Sequence, residues 1–429
     1  MMEMEPVTIG FLSLIGVMAL IMLRVPIAVS LISVSATGIM LIVGVESSIS
    51  MLSNIPYSFA SSWTLSSVPM FLLMGYVAFH TGMTRGLFSA ARAWLGWLPG
   101  GLAISSIGGA SGFAAVTGSS VACSAAIGRI AIPEMHRLNY DVRTATGAVA
   151  AGGTIGALIP PSILLIIYGI QAEESIHDLF VGGLALGLIS MLFYFAVIWL
   201  TYLRAPERLP GVQKTTLKEK IDASMDIWPV LLLVAVVFGG LFGGIFTATE
   251  AGAIGAFFTI VIGLARKELN KERFVDACLD TLLSSGALFM IAIGASLFTR
   301  LIALTGISFE VADWIDSHGF SVIGILVVIT LIYLALGMFL EPIGAMLLTL
   351  PLFLPLIVEH GVDKVWFGLL VAKLLEIGMI TPPVGLNVFV IHSVAKDYAS
   401  LEKIFAGVAP FILADLLLVV LMLGYQHYF

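Results

Sequence analysis

Two stretches of this chain place paired prolines in the middle of long apolar segments: Ile155-Gly-Ala-Leu-Ile-Pro-Pro-Ser-Ile163 and Ile377-Gly-Met-Ile-Thr-Pro-Pro-Val-Gly385. Proline lacks an amide donor and clashes with the carbonyl one turn earlier, so a pair of them breaks a helix. Broken backbone at membrane depth persists only where protein buries it or where it lines a watery cavity. Helix N-termini exposed at such a break suit a carboxylate. Unwound carbonyls, helix C-termini and hydroxyls are hard oxygen ligands suited to Na⁺. The chemistry implied is binding of an anion and a cation, without bond making.

The candidates in the first half are Thr117, Gly118, Ser119, Ser120, Gly156, Pro160, Pro161 and Ser162. Those in the second half are Glu341, Pro342, Gly378, Thr381, Pro382, Gly385 and Asn387. Thr117–Ser120, Pro160–Ser162, Glu341 and Pro342 are expected to meet substrate. Ser119, Ser120, Gly156, Gly378, Thr381, Pro382, Gly385 and Asn387 are expected to hold Na⁺. The second break carries Thr381 and Asn387 where the first has mainly Ser162, so ion binding should be unequal between the halves.

Other ionisable residues inside apolar segments are costly and therefore informative. Lys373 and Glu376 stand three apart and should pair along one helix face. Arg300 either binds a substrate carboxylate or pairs with an acid such as Glu310. Arg129 is placed to snorkel at a membrane mouth, and Asp415 to meet a partner helix. His80, Glu250 and Glu341 complete the set. Gly109-Ala-Ser-Gly112 together with His80 fits a weak intramembrane serine protease pattern, but that reading leaves the duplicated proline breaks unexplained.

The elements that must position these residues are membrane helices. The 429 residues are 59% hydrophobic and 11% charged, with a mean hydropathy of +1.08, which is too little charge to cover a soluble domain. Continuous apolar runs of roughly 17–25 residues exclude an outer-membrane barrel, whose strands would alternate. Cys123 and Cys278 read as reduced thiols in apolar helices. The net charge of −7 says little, because placement of charge matters more than its sum. No cleavable signal is expected, since Glu3 and Glu5 stand where a basic region would be.

Spans are expected at 7–23, 25–44 and 66–83, with an amphipathic connector at 47–64. An apolar block at 97–136 is interrupted at Thr117–Ser120, and a broken span covers 143–170. Spans follow at 178–203, 226–245, 247–265 and 274–304. A second interrupted block at 320–359 turns at Leu340-Glu-Pro342, before a broken span at 365–394 and a last span at 405–427. Arg24, Arg85, Arg92, Arg137, Arg143 and the linkers containing Lys214 and Arg266 mark the cytoplasmic side. Loops bearing Glu46, Glu173, Glu174 and Asp178, and Glu310, Asp313 and Asp316, mark the other, with Lys364 a lone exception. These charges make the two interrupted blocks re-entrant hairpins entering from opposite faces, with both termini outside.

A constant offset of 222 relates the halves: Pro133 to Pro355, Asp141 to Asp363, Ser119-Ser120 to Glu341-Pro342, and Pro160-Pro161 to Pro382-Pro383. Each half reads as three spans, a hairpin, a broken helix and a span. The expected fold is therefore all-α and polytopic, with two inverted-topology repeats of about ten spans plus two hairpins.

Four stretches then carry a resemblance: Thr117-Gly-Ser-Ser120 through Pro133; Ile159-Pro-Pro-Ser162 with Tyr168-Gly169; Gly244-Ile-Phe-Thr-Ala-Thr-Glu-Ala251; and Ile380-Thr-Pro-Pro-Val-Gly-Leu-Asn387. Along nearly its full length the chain resembles the large membrane subunit of tripartite ATP-independent periplasmic (TRAP) transporters. The resemblance implies a multi-pass inner-membrane carrier of the elevator type. It would take up a small organic anion, such as a C4-dicarboxylate or sialic acid, on a Na⁺ gradient with no other cofactor. It also implies a small four-helix membrane partner and a periplasmic binding protein that delivers substrate, with the lipid bilayer as surroundings and no nucleic acid. Residues 97–170 and 305–394 would form the moving domain; 1–96, 171–304 and 395–429 would form the scaffold and its connectors. Four positions depart from the family pattern: Asn139, Ala248, Glu341 and Leu374. An anion channel on the same fold is the alternative reading.

Overall fold

A computed structural model describes residues 5–210 and 215–428; Glu3 and Lys214, named above for their charge, lie outside them. The described chain is helical throughout. It opens with α1 (Pro6–Met22), α2 (Ile27–Val43), α3 (Val45–Ala60), α4 (Ser67–Thr81) and α5 (Gly86–Leu95). The first hairpin is α6 (Gly101–Thr117) and α7 (Ser120–Arg137), and the first broken helix is α8 (Val142–Thr154) and α9 (Ile163–Ala172). Then come α10 (Ile176–Arg204), α11 (Leu217–Asp226), α12 (Trp228–Phe242), α13 (Ala248–Ala265), α14 (Lys271–Thr305) and α15 (Ile307–Ser317). The second hairpin is α16 (Val322–Gly337) and α17 (Pro342–Glu359). The second broken helix is α18 (Lys364–Gly378) and α19 (Leu386–Ala395), and α20 (Leu401–Tyr428) closes the chain.

Each half contains a hairpin followed by a broken helix and a long helix, and local devices recur in both. Ser119 caps α7 and Glu341 caps α17, each accepting from the amide three residues on. Asp141 caps α8 through the Thr144 amide (3.2 Å) and Asp363 caps α18 through the Trp366 amide (2.7 Å). A side-chain acceptor at this position satisfies an amide that the first turn leaves free. Both proline pairs, Pro160–Pro161 and Pro382–Pro383, contain a cis peptide bond.

Among the described residues five helices are long and apolar enough to cross a bilayer unaided: α10, α13, α14, α17 and α20. The bent pairs α3–α4 (53°) and α11–α12 (62°) raise the number to seven. Six of these seven, all but the hairpin arm α17, are among the ten expected spans; the other four are α1 and α2, each 17 residues or about 26 Å, and the two broken helices. Two segments read as loops, Gly86–Leu95 and Ile307–Ser317, are instead short amphipathic helices. Their apolar faces were hidden among the charges used to orient the chain.

The breaks coincide with a crossing between two hydrophobic cores. Residues Ala145–Ala151 of α8, and Ile155 just beyond it, pack with α6 and α7, whereas Ile163–Tyr168 of α9 pack with α17 and α18. The second half mirrors this: Phe367–Ile377 of α18 lie in the core with α9 and α17, and Val388 and Ile391 of α19 lie with α7 and α8. Each proline pair thus lets one helix serve both cores. At the far end of this crossing Lys364, the charge exception, is neutralised by Glu174 (2.6 Å) and donates to the Ala172 carbonyl (3.1 Å). The Tyr168 hydroxyl donates to the Lys364 carbonyl (2.6 Å), tying α9 to α18.

Two further helices join this assembly. α10 packs on α6, α9, α18 and α20, and α20 packs along α8, α10, α18 and α19. Both were expected with the scaffold. The remaining spans make their own group, in which α14 packs on α2 and α4, and α13 on α4 and α12.

Candidate functional site

The hairpin tips are shaped by close backbone approach. Gly118 adopts φ +61° at the end of α6, and a Cβ there would strike the Pro161 carbonyl, so tip one sits directly on break one. Gly378, at the end of α18, would strike Gly337 of α16 if it carried a Cβ, so tip two sits on break two. Only glycine meets both demands at 118. The Gly385 amide donates to the Met338 carbonyl (3.3 Å), completing the second junction.

A cavity of about 770 Å³ lies where the tips meet the second helix group. One wall is Thr117, Gly118, Ser119 and Ser120 with Glu341, Pro342 and Glu376; the facing wall is built from α2, α4 and α14 and includes Tyr76 and Ser284. Those two hydroxyls are hydrogen-bonded to each other at 2.7 Å. The volume suits a small organic molecule.

Of the expected substrate residues, Thr117–Ser120, Glu341 and Pro342 line this cavity. Pro160, Pro161 and Ser162 do not; they are buried beneath tip one. Ser162 instead holds break one together, donating to the Ala157 carbonyl (2.5 Å) and accepting from the Leu165 amide (3.2 Å). Arg300 lies on an exposed face of α14 outside the cavity, and no ion pair joins it to Glu310 among the described residues. A helix surface that sequence periodicity could not rank facing in or out turned outward.

The expected Na⁺ residues divide between tip one (Ser119, Ser120) and the two breaks. Gly156 packs against Cys123 and the Ser119 backbone. Thr381 donates its hydroxyl to the Ile377 carbonyl (2.7 Å), leaving the oxygen lone pairs available. Asn387 is fully buried, yet neither atom of its side-chain amide has a partner. A buried unpaired amide costs about 1–3 kcal/mol, so this position calls for a ligand. The halves are unequal: break one is entirely buried, whereas Pro382 and Pro383 are exposed. Among the described residues no cluster of His, Cys, Asp or Glu is built for a metal, and the donors here are hydroxyl, amide and carbonyl oxygens, of the kind Na⁺ accepts.

Three buried charged groups, the exposed Glu341 and Arg129 depart from the expected arrangement. Lys373 does not pair with Glu376. Its ammonium, fully buried, contacts Asp415 Oδ1 at 2.6 Å and Ser190 Oγ at 3.0 Å. Asp415 Oδ2 accepts from the Tyr194 hydroxyl (2.7 Å), which meets Thr154 Oγ1 at 3.0 Å. This chain of contacts joins α8, α10, α18 and α20, so Asp415 meets helices of its own chain. Glu376, three residues beyond Lys373, accepts from Ser120 Oγ (2.7 Å) and so binds tip one to α18. Glu341 caps α17 through the Gly344 amide (3.0 Å), which covers that helix N-terminus with a carboxylate. Arg129 lines the cavity. Nothing in the sequence announced the Lys373–Asp415 or Ser120–Glu376 partners, because each joins helices far apart in the chain.

The Ser–His arrangement is absent. Ser111 donates to the Ile107 carbonyl (3.0 Å) within α6, and His80 Nε2 lies 2.8 Å from Asp280 Oδ2 on α14. Neither contact joins Ser111 to His80.

Residues 14–427 match the family model described as the tripartite ATP-independent periplasmic transporter, DctM component. The C4-dicarboxylate TRAP transporter large permease DctM of Pseudomonas aeruginosa is 36% identical over 338 residues, covering 77% of this chain and 78% of the relative. DctM of Vibrio cholerae is 34% identical over 91% of this chain and 89% of its own length. The isethionate TRAP permease DctMQ of Oleidesulfovibrio alaskensis is 33% identical over 97% of this chain, which spans 64% of that longer protein. Among solved structures, the YdaH transporter of Alcanivorax borkumensis superposes with a TM-score of 0.61 at 14% identity, covering 90% of this chain and 89% of that one. MtrF of Neisseria gonorrhoeae superposes with 0.63 at 14%, covering 98% and 94%. These two establish the fold alone. With residues 14–427 matched by that family model and relatives 33–36% identical over most of its length, the chain belongs to the DctM family of TRAP transporter large permeases, multi-pass transport subunits of the inner membrane and not enzymes.

Proposed function

We propose that this permease takes up a small organic anion, with Na⁺ as the coupling ion. The observation that carries the proposal is the cavity shared by the two hairpin tips and faced by α2, α4 and α14. Two of its lining groups are carboxylates, Glu341 and Glu376. Whatever charge these carboxyls carry repels an entering anion, which disfavours binding unless a cation accompanies it. The unpartnered Asn387 amide, with Thr381 and the carbonyls of break two, supplies oxygen ligands for that cation.

The moving body in this reading is α6–α10 with α16–α20, travelling past a frame of α1–α4 and α12–α14. That revises the expected partition for α10 and α20. Their buried contacts with Lys373 would have to break and reform in every cycle if they stayed with the frame. Separating a buried ion pair costs about 3–5 kcal/mol, so motion as one body is favoured. The hairpins would enter from opposite membrane faces. A small four-helix membrane subunit and a periplasmic binding protein complete the proposed assembly.

The test is uptake of labelled succinate, isethionate and N-acetylneuraminate into vesicles containing the permease with its partner subunits, with and without a Na⁺ gradient. Saturable, Na⁺-dependent uptake of at least one anion is expected. Ser119→Ala and Asn387→Ala should lower uptake more than they lower thermal stability. Unchanged uptake and unchanged Na⁺ dependence in both variants would sink the site assignment. Conductance without saturation or counterflow would favour a channel.

A further inference from the structure

We propose that Arg129 is an anion station inside the cavity, receiving the substrate's carboxylate or sulfonate after it leaves the hairpin tips. The proposal rests on the carrier reading above. α7 turns Ala122, Ala125, Ala126 and Arg129 toward the cavity. That spacing of three, four and seven is one helix face. The alanines leave room along it, and Arg129 stands nine residues beyond Ser120, about 13.5 Å along the axis. Among the lining residues Arg129 is the sole Lys or Arg, and the two acids, Glu341 and Glu376, are its only opposites. Ser120 binds Glu376 at the tip end of α7, so the cavity has carboxyl groups near the tips and a guanidinium further along.

Nearby cations are engaged. Arg92 and Arg137 both hold Glu134 Oε1 at 2.8 Å, and Lys373 holds Asp415. Arg129 has no hydrogen-bond or ion-pair partner among the described residues and is exposed. A free planar guanidinium takes a carboxylate or sulfonate through two parallel hydrogen bonds. An arginine there to snorkel into headgroups would be replaceable by any long polar residue without altering substrate affinity.

The experiment measures anion exchange in right-side-out and inverted membrane vesicles carrying the permease with its partner subunits. The probe is whichever of labelled succinate, isethionate or N-acetylneuraminate the wild type exchanges. R129Q should raise the half-saturating concentration on the Arg137 side at least tenfold, while the opposite side shifts less than twofold. R129K, which keeps the charge and loses the fork, should lie between. If R129Q fails to fold, the same one-sided rise in R129K decides. Half-saturation within twofold of wild type on both sides, in variants of wild-type thermal stability, overturns the station while leaving the carrier reading intact. Equal rises on both sides overturn it as well, by assigning Arg129 to the central site. A wild type that exchanges none of the three anions overturns the carrier reading and this inference with it.

Discussion

Replacing Lys373 by methionine should destabilise the protein by about 3–5 kcal/mol. The magnitude follows from the surroundings: Lys373 and Asp415 are each 0% exposed, and their 2.6 Å contact is the ion pair that neutralises both. Methionine fills much of the same volume but leaves the Asp415 carboxylate with the Tyr194 hydroxyl as its remaining partner. At 1.4 kcal/mol per tenfold, that loss lowers the folded-to-unfolded ratio by about a hundredfold or more. Thermal unfolding of detergent-solubilised protein, followed by a thiol dye that reports exposure of buried Cys123, would measure it. The double variant Lys373→Met/Asp415→Leu removes both charges and should recover most of the loss, because two apolar groups tolerate this site better than one unpaired charge. Only the Ser190 hydroxyl loses its partner, since Tyr194 keeps Thr154. A single variant less than 1 kcal/mol below wild type would refute the reasoning, as would a double variant no better than Lys373→Met.

Gly118→Ala should impair transport severely and cost about 1–3 kcal/mol, since the added methyl meets the Pro161 carbonyl at a positive φ; vesicle uptake beside a melting curve checks both. Ser120→Ala removes the hydrogen bond from tip one to Glu376 and should lower uptake with a stability loss near 1 kcal/mol. Uptake equal to wild type would deny that contact a role. On the exposed helix α11, the Thr216 amide and then its hydroxyl hold the Glu219 carboxyl below the usual carboxylate range. Because this folded-state value is depressed, the cap's contribution is complete above the ordinary glutamate value and fades as pH falls through the lowered one. Amide exchange of α11, corrected for intrinsic rate, should therefore quicken on acidification in the wild type and show no such step in Glu219→Gln.

The order of elements, both tips and both breaks are local facts, and the sequence carries them. A proline pair stops a helix wherever it stands, Gly118 marks a backbone that no side chain can share, and Ser119, Asp141, Glu341 and Asp363 cap the helices that follow them. The 222-residue offset reads as repetition because those local devices recur together. Partnership between distant helices has no such signature. A lone lysine and a lone aspartate, 42 residues apart, became one buried pair only because α18 and α20 lie side by side. Lys373 and Glu376, adjacent on a helix face, were drawn to different neighbours because in a packed interior the closest complementary group outcompetes a pairing along the same helix. The same physics packed α10 and α20 against the broken helices, turned Arg300 outward and left Arg129 in the cavity. Sequence alone determined where the helices must break; the tertiary structure decided which charges face each other across them, since burial and contact exist only once the helices are packed.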